Sequence, residues 1–124
     1  MWKVSGETLN IPNDHVGSKI SSTGEAVESI ALEKLLNDNF IFEDDMILKL
    51  DCEGSEFEII MSAKENFLRR FKSIHLEIHE NLNVDPQYQK SQVITGKLQD
   101  CGFKQAAIKN TANENLTVQK WVRT

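Results

Sequence analysis

Ile47-Leu48-Lys49-Leu50-Asp51-Cys52-Glu53-Gly54-Ser55-Glu56 reads as a buried strand that ends in acidic residues and turns at once into a helix. In an open α/β sheet, ligands and catalytic groups gather at the carboxyl ends of the strands. The run therefore predicts two carboxylates, Asp51 and Glu53, on the functional edge, with Gly54 permitting the sharp turn. Residues 46–51 have the continuous apolar character of a strand covered on both faces. Ser55 stands where a helix N-cap belongs and Glu58 follows three residues later, the pattern of a capping box.

Downstream, Phe57, Ile60, Met61, Lys64, Phe67, Leu68 and Phe71 follow a helical period, with an interruption near Ser62-Ala63. Residues 73–79, Ser-Ile-His-Leu-Glu-Ile-His, predict a second strand. Asp85-Pro86 opens another helix, with Val93, Ile94, Leu98 and Cys101 on its inner face and Gly102 as its stop. Residues 103–108 and 116–122 pair as two strands across a polar turn at 110–115. Upstream the pattern weakens. Trp2, Val4, Thr8, Leu9 and Ile11 flank Gly6 as a short hairpin, and 12–24 is a polar loop. Residues 27–30 predict a short strand, and Leu32, Leu35 and Leu36 one or two helical turns. The expected organisation is a single domain over 1–124, with a hairpin and loop at 1–25 and an α/β core at 26–124. The order β-α-β-α-β-β gives a parallel core that ends in an antiparallel hairpin.

Composition narrows the function. A chain of 124 residues fits one domain, and its 40% hydrophobic content is enough for a core. The formal charge of -5 argues against nucleic acid as a partner. Arg69, Arg70 and Lys72 form one basic cluster, expected to be the charged end of a helix. The two cysteines, Cys52 and Cys101, lack the spacing of a zinc site or a disulfide framework. Without a signal-like start or a membrane-length apolar run, the expected location is cytoplasmic, with no membrane partner.

The signature resembles the downstream half of the class I, S-adenosylmethionine-dependent methyltransferases, and within them the FkbM-type family. Asp45, Met46, Ile47, Leu48, Lys49, Leu50, Asp51, Cys52, Glu53, Gly54, Ser55 and Glu56 match that family's signature strand and turn. Ile74, Leu76, Glu77 and His79 match its following strand. Residues 27–33 resemble its preceding short strand and helix start, with Glu33 where Asp is usual. The resemblance covers roughly residues 25 to 108. It implies a partial Rossmann-like class I sheet, mostly parallel with a C-terminal antiparallel hairpin, and helices on both faces. The family's glycine-rich first turn and the acidic residue that closes its second strand have no counterpart here. The chain is therefore expected to be a fragment from the family's C-terminal half, inactive alone, with weak S-adenosylmethionine binding and no assignable cofactor-binding residue.

By the same resemblance the expected reaction is O-methylation of a hydroxyl on a small molecule or sugar. Such transfer needs the hydroxyl aligned with the sulfonium methyl and a base to take its proton. Asp51, Glu53 and His79 are the candidate catalytic residues, and Glu56 and Glu77 the candidate substrate contacts. Asp51 and Glu53 are alternatively negative charges at the amino end of the next helix. Glu77, mid-strand between Leu76 and Ile78, needs a partner if ionised, and Lys49 on the neighbouring strand predicts an ion pair. His79, at a strand end, suits proton transfer near neutrality, whereas His75 is expected to face outward. Cys52 reads as a small buried side chain rather than a nucleophile. Asp51, Glu53, Glu77 and His79 have ligand types that suit magnesium or manganese, but spacing alone assigns no metal. Two further functions compete: a non-catalytic interaction module that pairs or self-associates through an open sheet edge, and a metal-dependent α/β enzyme using Asp51 and Glu53.

Overall fold

A computed structural model describes residues 8–11, 25–28 and 30–124. Its elements are β1 (Thr8–Ile11), β2 (Glu25–Glu28), α1 (Leu32–Asp38), β3 (Met46–Leu50), α2 (Glu56–Ser62), α3 (Glu65–Leu68), β4 (Phe71–His79), a 3₁₀ turn (Pro86–Tyr88), α4 (Gln92–Asp100), β5 (Phe103–Asn110) and β6 (Leu116–Arg123). β1 and β2 form an antiparallel pair, Thr8 opposite Glu28. Thr8, Leu9 and Ile11 thus find their partner in 25–28; Trp2, Val4, Gly6 and the expected loop at 12–24 lie outside the described residues.

The main sheet runs β3-β4-β6-β5. β3 and β4 are parallel, Leu48 opposite Ile74 and Leu50 opposite Leu76. The β4–β6 and β5–β6 ladders are antiparallel. The expectation of a mostly parallel sheet is therefore corrected among the described residues: one ladder is parallel and two are not. A further parallel ladder needs a crossover strand beside β3, which the described residues do not supply, while the long C-terminal hairpin adds two antiparallel ladders.

Burial also corrects the expectation of helices on both faces. Along β3, Leu48 and Leu50 are buried while Ile47 and Lys49 are exposed, the period-2 alternation of a sheet with one covered face. Ile74, Leu76, Ile78 and Trp121 continue the covered face, and Phe57, Ile60, Phe67, Leu68, Ile94 and Leu98 pack onto it from α2, α3 and α4. Leu32 and Leu36 of α1 pack against the same core, beside Ile59, Ala63 and Phe67. Burying a side chain such as Phe57 or Ile60 contributes about 1.5–3 kcal/mol. Lys49 is what marks the other face as solvated. There Ile47 and Val118 remain exposed.

The expected interruption of the first long helix is real: Ala63 is extended, with ψ 141°, and separates α2 from α3. Phe71, expected on the helix, instead begins β4. The helix expected from Asp85-Pro86 onward is divided into the 3₁₀ turn and α4, because polar side chains capture the local backbone. Asp85 N–H donates to Asn83 Oδ1 (2.8 Å) and Gln87 N–H to Asp85 Oδ1 (3.1 Å).

The arginines work at the amino end of β4. Arg69 donates to Cys101 O (2.9 Å) and Thr124 O (3.3 Å), and Arg70 to Ile41 O (2.9 Å) and Glu43 O (3.2 Å). Arg123 donates to Asp44 O (2.9 Å) and pairs with Asp45 (2.7 Å). Arg69 and Arg70 follow α3, as expected of a charged helix end, while Lys72 lies on β4. No helix of the described residues is long and apolar enough to cross a membrane.

Candidate active site at the strand ends

The parallel pairing of β3 with β4 brings two strand ends together, and with them the acidic signature and His79. Between β3 and α2 the chain makes a tight turn, closed by Ser55 N–H to Cys52 O (3.1 Å). Both residues inside it have positive φ, Glu53 at 51° and Gly54 at 102°. Gly54 suits that region, and a Cβ there would meet Asn83 N and Leu82 Cβ at 3.1 Å. Glu53 has no such freedom. A non-glycine residue held left-handed stores strain of order 1–3 kcal/mol, a feature that clusters at functional sites.

His79 is the centre of the group and is buried. Its Nδ1 lies 3.0 Å from Glu56 Oε1, which also accepts the His79 backbone N–H at 2.6 Å. Glu56 Oε2 accepts the Gly54 N–H at 3.0 Å. Both carboxylate oxygens therefore act as acceptors, so the hydrogen between His79 and Glu56 belongs to Nδ1, and Nε2 faces the strand ends. There it lies 3.5 Å from Asp51 Oδ1 and 4.0 Å from Glu53 Oε1. The side chains of Asp51 and Glu53 are both nearly half exposed. A hollow of about 150 Å³ lies on the other side of the β4 end, lined by His79, Glu80, Asn81, Leu82, Asn113 and Asn115, and neither Asp51 nor Glu53 lines it.

Glu56, expected to meet substrate, is instead wholly buried. With no surface to offer, it fixes the orientation of His79. Glu77 is half-buried and faces Asp51 rather than forming the expected ion pair with Lys49. A hydrogen bond to Asp51, then burial and the Asp51 charge, push the Glu77 carboxyl above its ordinary range, with Lys49 acting only as an opposing attraction. Register explains this, since Lys49 stands opposite His75. His75 itself lies on the solvated face, where Ser73 Oγ contacts its Nε2 at 3.3 Å.

The capping box is not formed. Ser55 makes no side-chain cap bond, and Glu58, buried, takes the Asn83 amide on both oxygens (2.8 and 2.7 Å). Asn83 also donates to Gly54 O (2.9 Å), so it ties the loop after β4 to the turn after β3. Asn83 was not singled out from the sequence. Its partners lie 25 and 29 residues away, beyond any local spacing rule. Cys52 is half-buried, and burial followed by the Glu56 charge pushes its thiol up, which keeps it a poor nucleophile.

No curated protein and no solved structure matches the chain significantly. The sequence pattern of the FkbM methyltransferase domain does match, over residues 2–104. The match begins well before residue 25, so the weakly patterned start lies inside the family's pattern, and it ends as β5 begins. It takes in the acidic turn, His79 and the helices packed behind them, and on that extent the chain belongs to the FkbM methyltransferase domain family.

Proposed function

We propose that the chain serves an S-adenosylmethionine-dependent O-methyltransferase with a Rossmann-like sheet, and that its strand ends hold and deprotonate the hydroxyl of a small molecule or sugar. The observation that carries this is the orientation of His79. Glu56 fixes Nδ1, and Nε2 is left facing the partly exposed carboxylates of Asp51 and Glu53. A fixed imidazole flanked by carboxylates takes a proton from a hydroxyl in reach, an effect of about 10²–10⁴-fold on rate. Asp51 and Glu53 orient the hydroxyl and stabilise the imidazolium that forms.

The described residues do not themselves fit the cofactor. The family's methyl donor supplies the electrophile, and its methionine part needs a glycine-lined approach. Gly54, the glycine at these strand ends, is closed over by Asn83 and Leu82. The assignment is therefore to acceptor binding and proton removal alone. Labelled S-adenosylmethionine offered with a panel of sugars and small alcohols to the natural protein tests it. Transfer to a hydroxyl should fall about 10²-fold or more in His79→Asn and clearly in Asp51→Asn. Transfer indifferent to both substitutions, or none to any alcohol, would refute the assignment.

A further inference from the structure

We propose that Asp51, Glu77 and His79 form a divalent-cation site, of the kind that takes manganese or magnesium, at the carboxyl ends of β3 and β4. One ligand atom from each lies within 4.8 Å of the other two. An ion with metal–oxygen distances of about 2.0–2.2 Å holds adjacent ligands about 3 Å apart and opposite ones about 4 Å apart. Movement of about an ångström by two solvent-facing carboxylates closes the set around it.

Acidic groups alone are common on surfaces, and the imidazole sets this one apart. His79 is only 8% exposed, and its Nδ1–H is committed to the fully buried Glu56. In the neutral imidazole Nε2 therefore presents a lone pair to the cluster. It faces Asp51 Oδ1 at 3.5 Å and Glu53 Oε1 at 4.0 Å, acceptors like itself, and no hydrogen bond satisfies it among the described residues. Electron-rich atoms face one another across a gap that a cation fills. A carboxylate behind a histidine behind a metal is how proteins fix the tautomer and strengthen the ligand. Two carboxylates and one imidazole favour manganese over magnesium, since the nitrogen is a softer donor.

Three protein ligands leave positions for water or an acceptor hydroxyl, whose proton the ion would loosen. In the ion-bound form Nε2 would be a ligand and Glu53 would take the proton, in place of the His79 base of the ion-free form. That consequence rests on the methyl-transfer assignment; the site itself does not.

The test is calorimetric titration of Mn²⁺ into chelator-stripped protein, with nitrogen NMR of the histidines using Zn²⁺ as a diamagnetic substitute. One saturable site is expected, weakened about tenfold or more in Asp51→Asn and in Glu77→Gln. Both replace partly exposed side chains, so the fold is retained. Zn²⁺ should shift Nε2 of His79 and leave His75 unmoved. Absence of saturable binding, binding unchanged in both variants, or a shift at His75 instead would overturn the site. Binding as expected without methyl transfer to any alcohol would leave the site standing and remove only the reaction proposed above.

Discussion

Glu77 binds its proton more tightly in the folded chain than in the unfolded one. The Asp51 hydrogen bond, burial and the Asp51 charge outweigh the opposing Lys49 and His79, and its carboxyl titrates above the ordinary 4.5. Folding therefore takes up a proton in the window above that value. The contribution is whole below the unfolded value and is lost as pH rises through the raised one. In urea melts across this window, with a chelator present, the wild type should lose stability with rising pH relative to Glu77→Gln. Identical slopes in the two proteins would show that Glu77 is not held this way. The sequence marked Glu77 as a residue in need of a partner but named Lys49. What decided between Lys49 and Asp51 was the direction each side chain takes across the ladder, which composition and spacing do not carry.

Elements were more legible than their ends. β3, β4, β5 and β6 each fall within two residues of the stretch expected from apolar runs, and the break at Ala63 was visible as a lapse in helical period. α2 starts where expected, with Ser55 at its N-cap, but the capping-box bonds are missing, because a Ser and a Glu three apart satisfy the pattern whether or not the bonds form. The structure ranks the two residues oppositely. Ser55→Ala should change stability by no more than about 0.5 kcal/mol. Asn83→Ala, which removes donors from Glu58 and from Gly54 O, should cost about 1.5–3 kcal/mol. Chemical denaturation of both variants checks the pair, and the reverse order would restore the capping box. Asn83 is also what joins the two strand-end loops, so its loss should loosen the surroundings of His79 before it loosens the sheet.

At the scale of the whole molecule, the two edges of the main sheet differ. β5 is broken by a register shift between Gln105 and Ala107 and carries Lys104 and Lys109, the devices that discourage pairing. β3 has no described partner on its far side, and its Ile47 is 59% exposed. Sedimentation should show association that grows with concentration and is weakened by Ile47→Lys; a monomer at every concentration would end the idea. The class of fold could be read from the order of elements, whereas the bare face of the sheet could not. That face is a matter of what packs where, and Lys49 inside an otherwise apolar strand and His75 on β4 were its traces in the sequence.

The arginines at one end of β4 and the carboxylates at the other differ in how far their charge is balanced. β4 is nine residues long, so its ends, Phe71 and His79, stand about 26–27 Å apart along the strand. Arg69, Arg70 and Arg123 crowd the near end, and Asp51, Glu53 and Glu77 the far one. Asp44 and Asp45 pair with Arg70 and Arg123 at the near end, so among the described residues the unbalanced charge lies with the carboxylates of the far end, in a chain whose net charge is already -5. Their field turns an approaching cation toward the acidic end over distances of about 8 Å at physiological salt, and over longer ones as salt is removed.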